Sequence, residues 1–323
     1  MSSDHVPFAA DRLDGLVQRG ERRAGVGFVL LSALAFASTP ALVTLSYRAQ
    51  LNAVSLVGLR CIIGAVVLLM LAARRHEARI DRPTSVRLLL LGGVLFGPQM
   101  LLYFTALRYL DTGVGSALVY TYPALVLALV AARERRLPSM SVGVLLVVAL
   151  LGVTAVTTGH GAGPVSVVGI ALALGTALLY AGYVLVSETV LKVVPPLRAS
   201  AIVLVGAGLS SLAAGLITGA FEVPKGTAAW SLLAAHGLLV IPVGMAAYYA
   251  GLRRLGATQA SIIDTAQPAL VALIGVAFLS ESLGVTQGVG VALILTAVVC
   301  LPARRRARDG RSLSRRPRRL AQR

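Results

Sequence analysis

Two ionisable side chains, Arg60 and Asp264, sit inside apolar runs where water should not reach. A charge at the centre of such a run costs at least ~2.5–3.5 kcal/mol on insertion scales, so each is a functional candidate by default. A carboxylate in that setting receives an amino group or exchanges a proton. A guanidinium orients a carboxylate through its planar fork of donors. The structural alternatives are an ion pair between the two, or an Arg60 that reaches outward along its aliphatic stem to lipid headgroups.

Other polar groups fall at spacings that can serve the same site. Ser261, Asp264 and Gln267 stand at i, i+3 and i+6, close to one face of a helix. Gln99 and Tyr103 share a face at i, i+4, and Tyr120, Tyr122, Tyr180, Tyr183 and Tyr248 supply rings that carry hydroxyls. Small-molecule sites combine an apolar wall with a few orienting polar groups. The candidate substrate-binding set is therefore Asp264, Gln267, Gln99, Tyr103, Tyr120, Tyr180, Tyr248 and Arg60. For tyrosines near span ends the competing expectation is an interfacial belt or helix packing. Gln99, Tyr120 and Asp264 are the most deeply placed.

Other chemistry lacks its parts. His5, His76, His160 and His236 are scattered with no pair at ligand spacing, so neither a metal nor a cofactor is expected. Cys61 and Cys300 fall in apolar blocks and read as small core residues. No nucleophile–base pair or Walker A pattern is present, which argues against a membrane-embedded enzyme and against direct use of ATP.

The positioning elements follow from hydropathy. Of 323 residues, 57% are hydrophobic and 13% charged, with mean hydropathy +0.82, whereas soluble domains carry about 25% charged residues. The apolar blocks predict ten spans, at 24–47, 52–73, 86–107, 112–132, 139–158, 165–187, 197–219, 230–252, 256–279 and 283–302. Together they make an all-α polytopic membrane protein. The first block is too long for a signal peptide and lacks a cleavage site, so it is expected to be retained.

Basic residues orient the spans. With both termini in the cytoplasm, 26 of the 30 Lys and Arg residues face inward, Arg48, Arg108 and Lys225 face outward, and Arg60 lies within a span. Residues 1–23 then form a cytoplasmic segment. Residues 303–323 form an Arg-rich cytoplasmic tail, expected to be disordered and to hold anionic headgroups. The tail has no aromatics to stack on bases, so no nucleic-acid partner is expected. The excess of Arg over Lys, 28 to 2, points to a GC-rich bacterial source and a cytoplasmic membrane.

The spans repeat. Tyr103 to Val126 aligns without a gap on Tyr248 to Val271, with 9 of 24 positions identical. Gly25, Ser32, Ala33, Phe36 and Ala37 match Gly169, Thr176, Ala177, Tyr180 and Ala181, and Glu134 and Gly143 match Glu281 and Gly290. Residues 24–158 are thus one five-span repeat and 165–302 the other. Five is odd, so the second copy enters the bilayer inverted. The matched loops carry 1, 5, 1 and 3 basic residues in the first copy and 2, 1, 2 and 0 in the second, switching their richer side as inversion requires. Asp264 and Gln267 align with Val119 and Tyr122, so these polar groups belong to what the halves do differently. Pro40, Pro98, Pro123, Pro242 and Pro268 interrupt spans and favour kinks. The repeat partners Pro123 and Pro268 are candidate hinges. Gly93 and Gly97, and likewise Gly284 and Gly288, have the spacing of close helix approach.

The chain resembles the EamA-like branch of the drug/metabolite transporter superfamily. The resemblance rests on Leu59-Arg60, on the Tyr-Phe-x-Ala-Leu-x-Tyr-Leu at 103–110, on Pro-Ala-Leu at 123–125 and 268–270, and on Glu134 and Glu281, each followed by a glycine-bearing span. It departs from the family at 131–136, where AARERR has an extra arginine. The resemblance implies secondary transport of small metabolites by alternating access, commonly export of amino acids or related compounds, with proton coupling possible. Export of drugs or other amphipathic cations is the alternative within transport. A scaffold is more remote, because it would not need inverted symmetry.

Overall fold

The computed structural model describes residues 6–110, 112–157, 166–192, 194–270, 273, 284–297 and 300. Glu281, His5, His160, the Arg-rich tail at 303–323 and nearly all of the expected ninth span beyond residue 270 lie outside the described residues. The described residues are helical, with no strand among them. The helices are α1 (Val6–Ala37), α2 (Thr39–Arg48), α3 (Ala53–Arg74), α4 (Arg82–Leu90), α5 (Gly97–Ala106), α6 (Thr112–Val119), α7 (Tyr122–Glu134), α8 (Met140–Thr157), α9 (Val167–Val190), α10 (Pro196–Thr218), α11 (Gly226–Ala234), α12 (Ile241–Leu255), α13 (Ala257–Asp264) and α14 (Val285–Ala297).

Seven helical stretches among the described residues are long and apolar enough to cross a membrane, and Met140–Ala155 and Val285–Ala297 are shorter apolar helices. α1 runs unbroken from Val6 into the first apolar block. Leu31, Val66, Met70 and Leu178 are exposed on the outside of the bundle. A protein solvated by lipid loses nothing by that arrangement, because its backbone polar groups are satisfied within the helices.

Each of the five span-interrupting prolines follows a local break. Proline has no N–H and its ring crowds the preceding turn, so the chain must satisfy the freed carbonyls another way. Two local arrangements accompany the prolines. In the third and eighth spans the helix widens into π turns at Leu91–Phe96 and Ala235–Val240, each ending two residues before Pro98 or Pro242. In the first, fourth and ninth spans the helix breaks two or three residues before the proline, and a hydroxyl at the break bonds back to the carbonyl three residues earlier. Ser38 Oγ donates to the Ala35 carbonyl (2.8 Å), Thr121 Oγ1 to Leu118 (2.7 Å) and Thr265 Oγ1 to Ile262 (2.6 Å). The fourth span is consequently two helices, α6 and α7, parted at Tyr120 and Thr121, and α13 ends at Asp264 with a turn at Thr265. These two breaks occupy corresponding places in the repeats.

The helix contacts follow the duplication. α3 packs along α10, which are the second spans of the two repeats, and α7 meets α13. α1 packs along α12 while α5 packs along α9, so the first span of each copy lies against the third of the other. The π turns obey the same rule, Leu91–Phe96 packing on α10 and Ala235–Val240 on α3. An approximate two-fold relation therefore sets α3 beside α10 and the fourth span beside the ninth. Asn52 Nδ2 donates to the Ala220 carbonyl (2.7 Å), and Glu77 Oε2 accepts from the Arg198 N–H (3.0 Å), pinning the α3–α10 pair at both ends.

Close approach along this pair depends on glycine. A Cβ on Gly92 would strike the Val203 carbonyl, and one on Gly206 the Leu89 carbonyl. Gly93 and Gly97 also face α10, whereas Gly288 meets nothing within 4 Å and Gly284 only Gln287 of its own helix, so the second glycine pair makes no helix contact among the described residues. Gly92→Ala is expected to destabilise the folded protein by about 1–3 kcal/mol through overpacking. Gly27→Ala, whose Cβ would meet nothing within 4 Å, should be near neutral. Thermal unfolding of both variants in one detergent checks the contrast.

Candidate functional site

The interrupted helices surround a cavity between the two repeats. Its wall includes Phe36, Thr39 and Pro40 from the first span, Arg60 from α3, and Phe96, Gln99, Met100, Tyr103 and Phe104 from the third span. Val119, Tyr120 and Tyr122 come from the break between α6 and α7, Thr176 and Tyr180 from α9, and Asp264 and Gln267 from the break after α13. The solvent-accessible volume is about 110 Å³, room for several waters or a small solute on the scale of ~10–15 Å³ per water. Seven of the eight residues expected from sequence line it. The eighth, Tyr248, is buried behind the wall with its ring 6.4 Å from that of Tyr180.

Asp264 is 4% exposed and ends α13. Its Oδ2 accepts from the Tyr122 hydroxyl at 2.8 Å, and that hydroxyl also lies 3.4 Å from the Ser261 carbonyl. Asp264 Oδ1 is buried and has no hydrogen-bond partner among the described residues. The carboxylate thus keeps one lone-pair edge free beside the cavity. The C-terminal end of a helix adds partial negative charge at the same place, which favours a cation there.

Arg60 is 2% exposed and points inward. Its Nη2 donates to Met100 Sδ at 3.0 Å, its Nη1 lies 3.4 Å from His236 Nδ1, and its guanidinium stacks over the Phe104 ring at 4.5 Å. Buried Nε has no hydrogen-bond partner among the described residues, and the Cys61 thiol is a neighbour of the group. This corrects both structural expectations for Arg60. It does not extend to the headgroups, because Phe104 and the π turn carrying His236 enclose it. Nor does it pair with Asp264: the ion pair found among the described residues is Arg254 with Glu21. A cationic and an anionic group line one cavity and leave each other unneutralised.

Sequence reasoning undervalued two residues. Tyr122, equated with Gln267 by the repeat, is the partner of Asp264 from the other repeat. His236 was one scattered histidine, and only the π turn brings it to Arg60. Tyr122, Tyr180 and Tyr183 form an aromatic column, with centroids 4.6 Å apart for the first pair and 5.7 Å for the second. Tyr183 lies outside the cavity, its hydroxyl donating to that of Tyr249 (3.0 Å), which meets Ser187 Oγ (3.3 Å).

On one side of the bundle α1 meets α12 and α13 through a polar cluster. Arg254 Nε donates to Glu21 Oε2 (2.8 Å), Arg22 Nη2 to Gln259 Oε1 (3.1 Å), and the Arg254 guanidinium lies over Phe28 at 5.0 Å. Glu188 Oε1 accepts from the Ala257 N–H at 3.2 Å. Toward the other side, Tyr47 donates to the Phe104 carbonyl (2.8 Å), and Arg108 stacks over Tyr47 at 5.2 Å. No group of three or more His, Cys, Asp or Glu side chains among the described residues could hold a metal ion.

Comparison with known proteins bears on the whole bundle. The model of the EamA-like transporter family matches twice, over residues 23–158 and 167–301. The chain is 24% identical over 279 residues to the uncharacterized transporter YwfM of Bacillus subtilis (strain 168), covering 85% of this chain and 93% of that one. It is 26% identical over 199 residues to the uncharacterized transporter YcbK of the same organism, covering 59% and 63%. A crystal structure 18% identical superposes with TM-score 0.74 over 88% of this chain and 99% of the other, a likeness of fold.

The Tyr122–Asp264 contact joins the two repeats through one charge-assisted hydrogen bond, worth about 1.5–3 kcal/mol. A double-mutant cycle with Tyr122→Phe and Asp264→Asn, read by unfolding in detergent, should show a coupling of about 1–3 kcal/mol. Additive effects would mean that the contact does not form in the folded protein.

Proposed function

This chain belongs to the EamA-like transporter family, and we propose on that premise that it moves a small zwitterionic metabolite, an amino acid or a close relative, across the bacterial cytoplasmic membrane by alternating access. The observation that carries this reading is the pair of unneutralised opposite charges in one cavity. Asp264 receives the substrate's ammonium group on its free edge. Arg60 receives the carboxylate at its unpartnered Nε and adjoining amino edge. Gln99, Gln267 and Thr176 supply neutral hydrogen bonds, and the aromatic wall takes the apolar side chain.

The alternating step uses the repeat. With both termini in the cytoplasm, as the 26 inward-facing basic residues favour, the polar cluster of α1 with α12 and α13 is the cytoplasmic gate and the cavity is presented outward. The paired breaks before Pro123 and Pro268 are where α6 and α13 swing against the helices that follow. Inverted halves make the two end states near equivalents, so the chain can exchange one for the other without losing contacts overall. Export follows when substrate loads from the cytoplasmic side. Asp264 can also carry a proton in place of the substrate ammonium, which would couple transport to the proton gradient. An aromatic wall with one carboxylate also suits amphipathic cations, the second reading.

Flux in proteoliposomes separates these readings. For a zwitterion carrier, an amino acid should be carried while its methyl ester, which lacks the carboxylate, is carried at least about tenfold less well. Equal or better flux of the ester would favour the cation reading. Asp264→Asn should lower flux about 10–100-fold, the range of a lost charge-assisted contact. Unchanged flux across a pH series, with equal protein in the vesicles, would remove Asp264 from the mechanism.

The gate has its own test. In a variant with Cys61 and Cys300 replaced by alanine, Glu21→Cys and Arg254→Cys joined by a cleavable thiol cross-linker should halt transport. Cleaving the linker should restore it. Transport that continues while cross-linked would show that this seal does not open during the cycle.

A further inference from the structure

His236 is a histidine that the transport reading does not use. It is fully buried in an apolar span, where buried polar groups ordinarily find partners; the Leu42 backbone lies beside the ring, and Nε2 makes no well-formed hydrogen bond among the described residues. Here its Nδ1 faces Arg60 Nη1 at 3.4 Å. A guanidinium has no lone pair and can only donate, so Nδ1 is the acceptor and the ring proton sits on Nε2. The other neighbours of the Arg60 guanidinium are soft: the Met100 sulfur on Nη2, the Cys61 thiol and the Phe104 ring beneath the plane. Among these neighbours the imidazole lone pair is the directed nitrogen acceptor that can fix the rotation of the guanidinium in its own plane.

The backbone around His236 suits that task. The residue lies in the π turn Ala235–Val240, which packs against α3, the helix that carries Arg60. Gly237, the next residue, sits so close to α3 that a Cβ would overlap Ile63. The widened turn and the glycine bring the ring onto the buried face of α3. The corresponding π turn of the first repeat, Leu91–Phe96, has Leu91 at the aligned position, so this imidazole is present once, as Arg60 is.

We propose that His236 is a positioning residue for anion recognition: it holds Nη1 of Arg60 so that the Nε edge of the guanidinium is turned to a carboxylate of the substrate. The inference rests on the assignment of Arg60 to the substrate carboxylate. A fork rotated away from its planar partner loses one of two parallel hydrogen bonds. The effect should fall on affinity for the carboxylate and leave the translocation rate unchanged.

The probes are L-phenylalanine and L-phenylalanine methyl ester, with the full-length protein in proteoliposomes. His236→Leu should raise the KM for phenylalanine about tenfold, the size of one hydrogen bond to a charged group, with little change in maximal rate. His236→Gln, whose amide oxygen can accept from Nη1, should recover most of that loss. The ester should be indifferent to both substitutions. His236→Met, apolar and similar in bulk, replaces His236→Leu if the latter yields little folded protein. Equal loss for acid and ester, or no rescue by glutamine, would make His236 a packing residue and overturn the inference. A wild-type protein that does not favour the acid over its ester would overturn the Arg60 assignment, and this inference with it. A wild type that does favour the acid, with an apolar variant that favours it equally, would overturn the inference alone.

Discussion

A backbone carbonyl in hydrocarbon must find a donor inside the protein, and this fold is organised around five places where proline removes one. Uninterrupted spans would bundle into a solid rod of side chains. Instead the first, third, fourth, eighth and ninth spans each change direction at a proline, and the first, third, fourth and ninth place residues in the cavity wall within a few positions of it. The arrangement differs by place. The first, fourth and ninth spans break at a turn where a serine or threonine hydroxyl bonds back to the carbonyl three residues earlier, and the third and eighth widen into π turns. The breaks in the fourth and ninth spans place Tyr120 and Asp264 in the cavity wall. A widened turn keeps the helix continuous but shifts its face, and so carries His236 to Arg60.

The pairing of helices follows from the same economy of donors. Spans that lack polar side chains can hold together only by close packing, and glycine permits it. Gly92 and Gly206 bring the third span and α10 to backbone contact, and Gly64 and Gly237 let the side chains of Ile241 and Ile63 pack closely between α3 and the eighth span. Polar side chains then pin the ends, with Asn52 and Glu77 on the α3–α10 pair and Glu21 with Arg254 on α1 and α12. Surface ion pairs contribute little in water. The Glu21–Arg254 pair is partly exposed and so is one of the weaker of these ties.

Much of this was legible in the residues. Hydropathy found the helices, and the gapless match of Tyr103–Val126 with Tyr248–Val271 found the duplication, because membrane burial constrains whole blocks of sequence at once. Subtracting one copy from the other singled out Asp264 and Gln267, which do line the cavity. What sequence could not supply was side-chain direction. Arg60 sits near enough to a span end that an outward path to headgroups was open to it, and only the location of Phe104 and His236 turns it inward. Tyr180 and Tyr248 have the same composition signal, yet one is in the wall and the other behind it, since a single helical turn separates facing the cavity from facing a neighbour. A π turn leaves no mark of its own in composition, so the displacement of His236 was hidden.

The Tyr122–Asp264 contact also says something about why one chain carries both halves. A membrane protein built as a dimer of identical five-span subunits must place every axial residue twice. An aspartate at the position of Asp264 would then appear in duplicate across a few ångströms of low dielectric. Two carboxylates so placed resist ionising together. Fusing the copies lifts that restriction. One half keeps Val119 and lends Tyr122 as donor, while the other bears the acid, so one carboxylate stands there with its own donor. Duplication conserves the frame, and covalent linkage lets the two halves carry different groups at its centre.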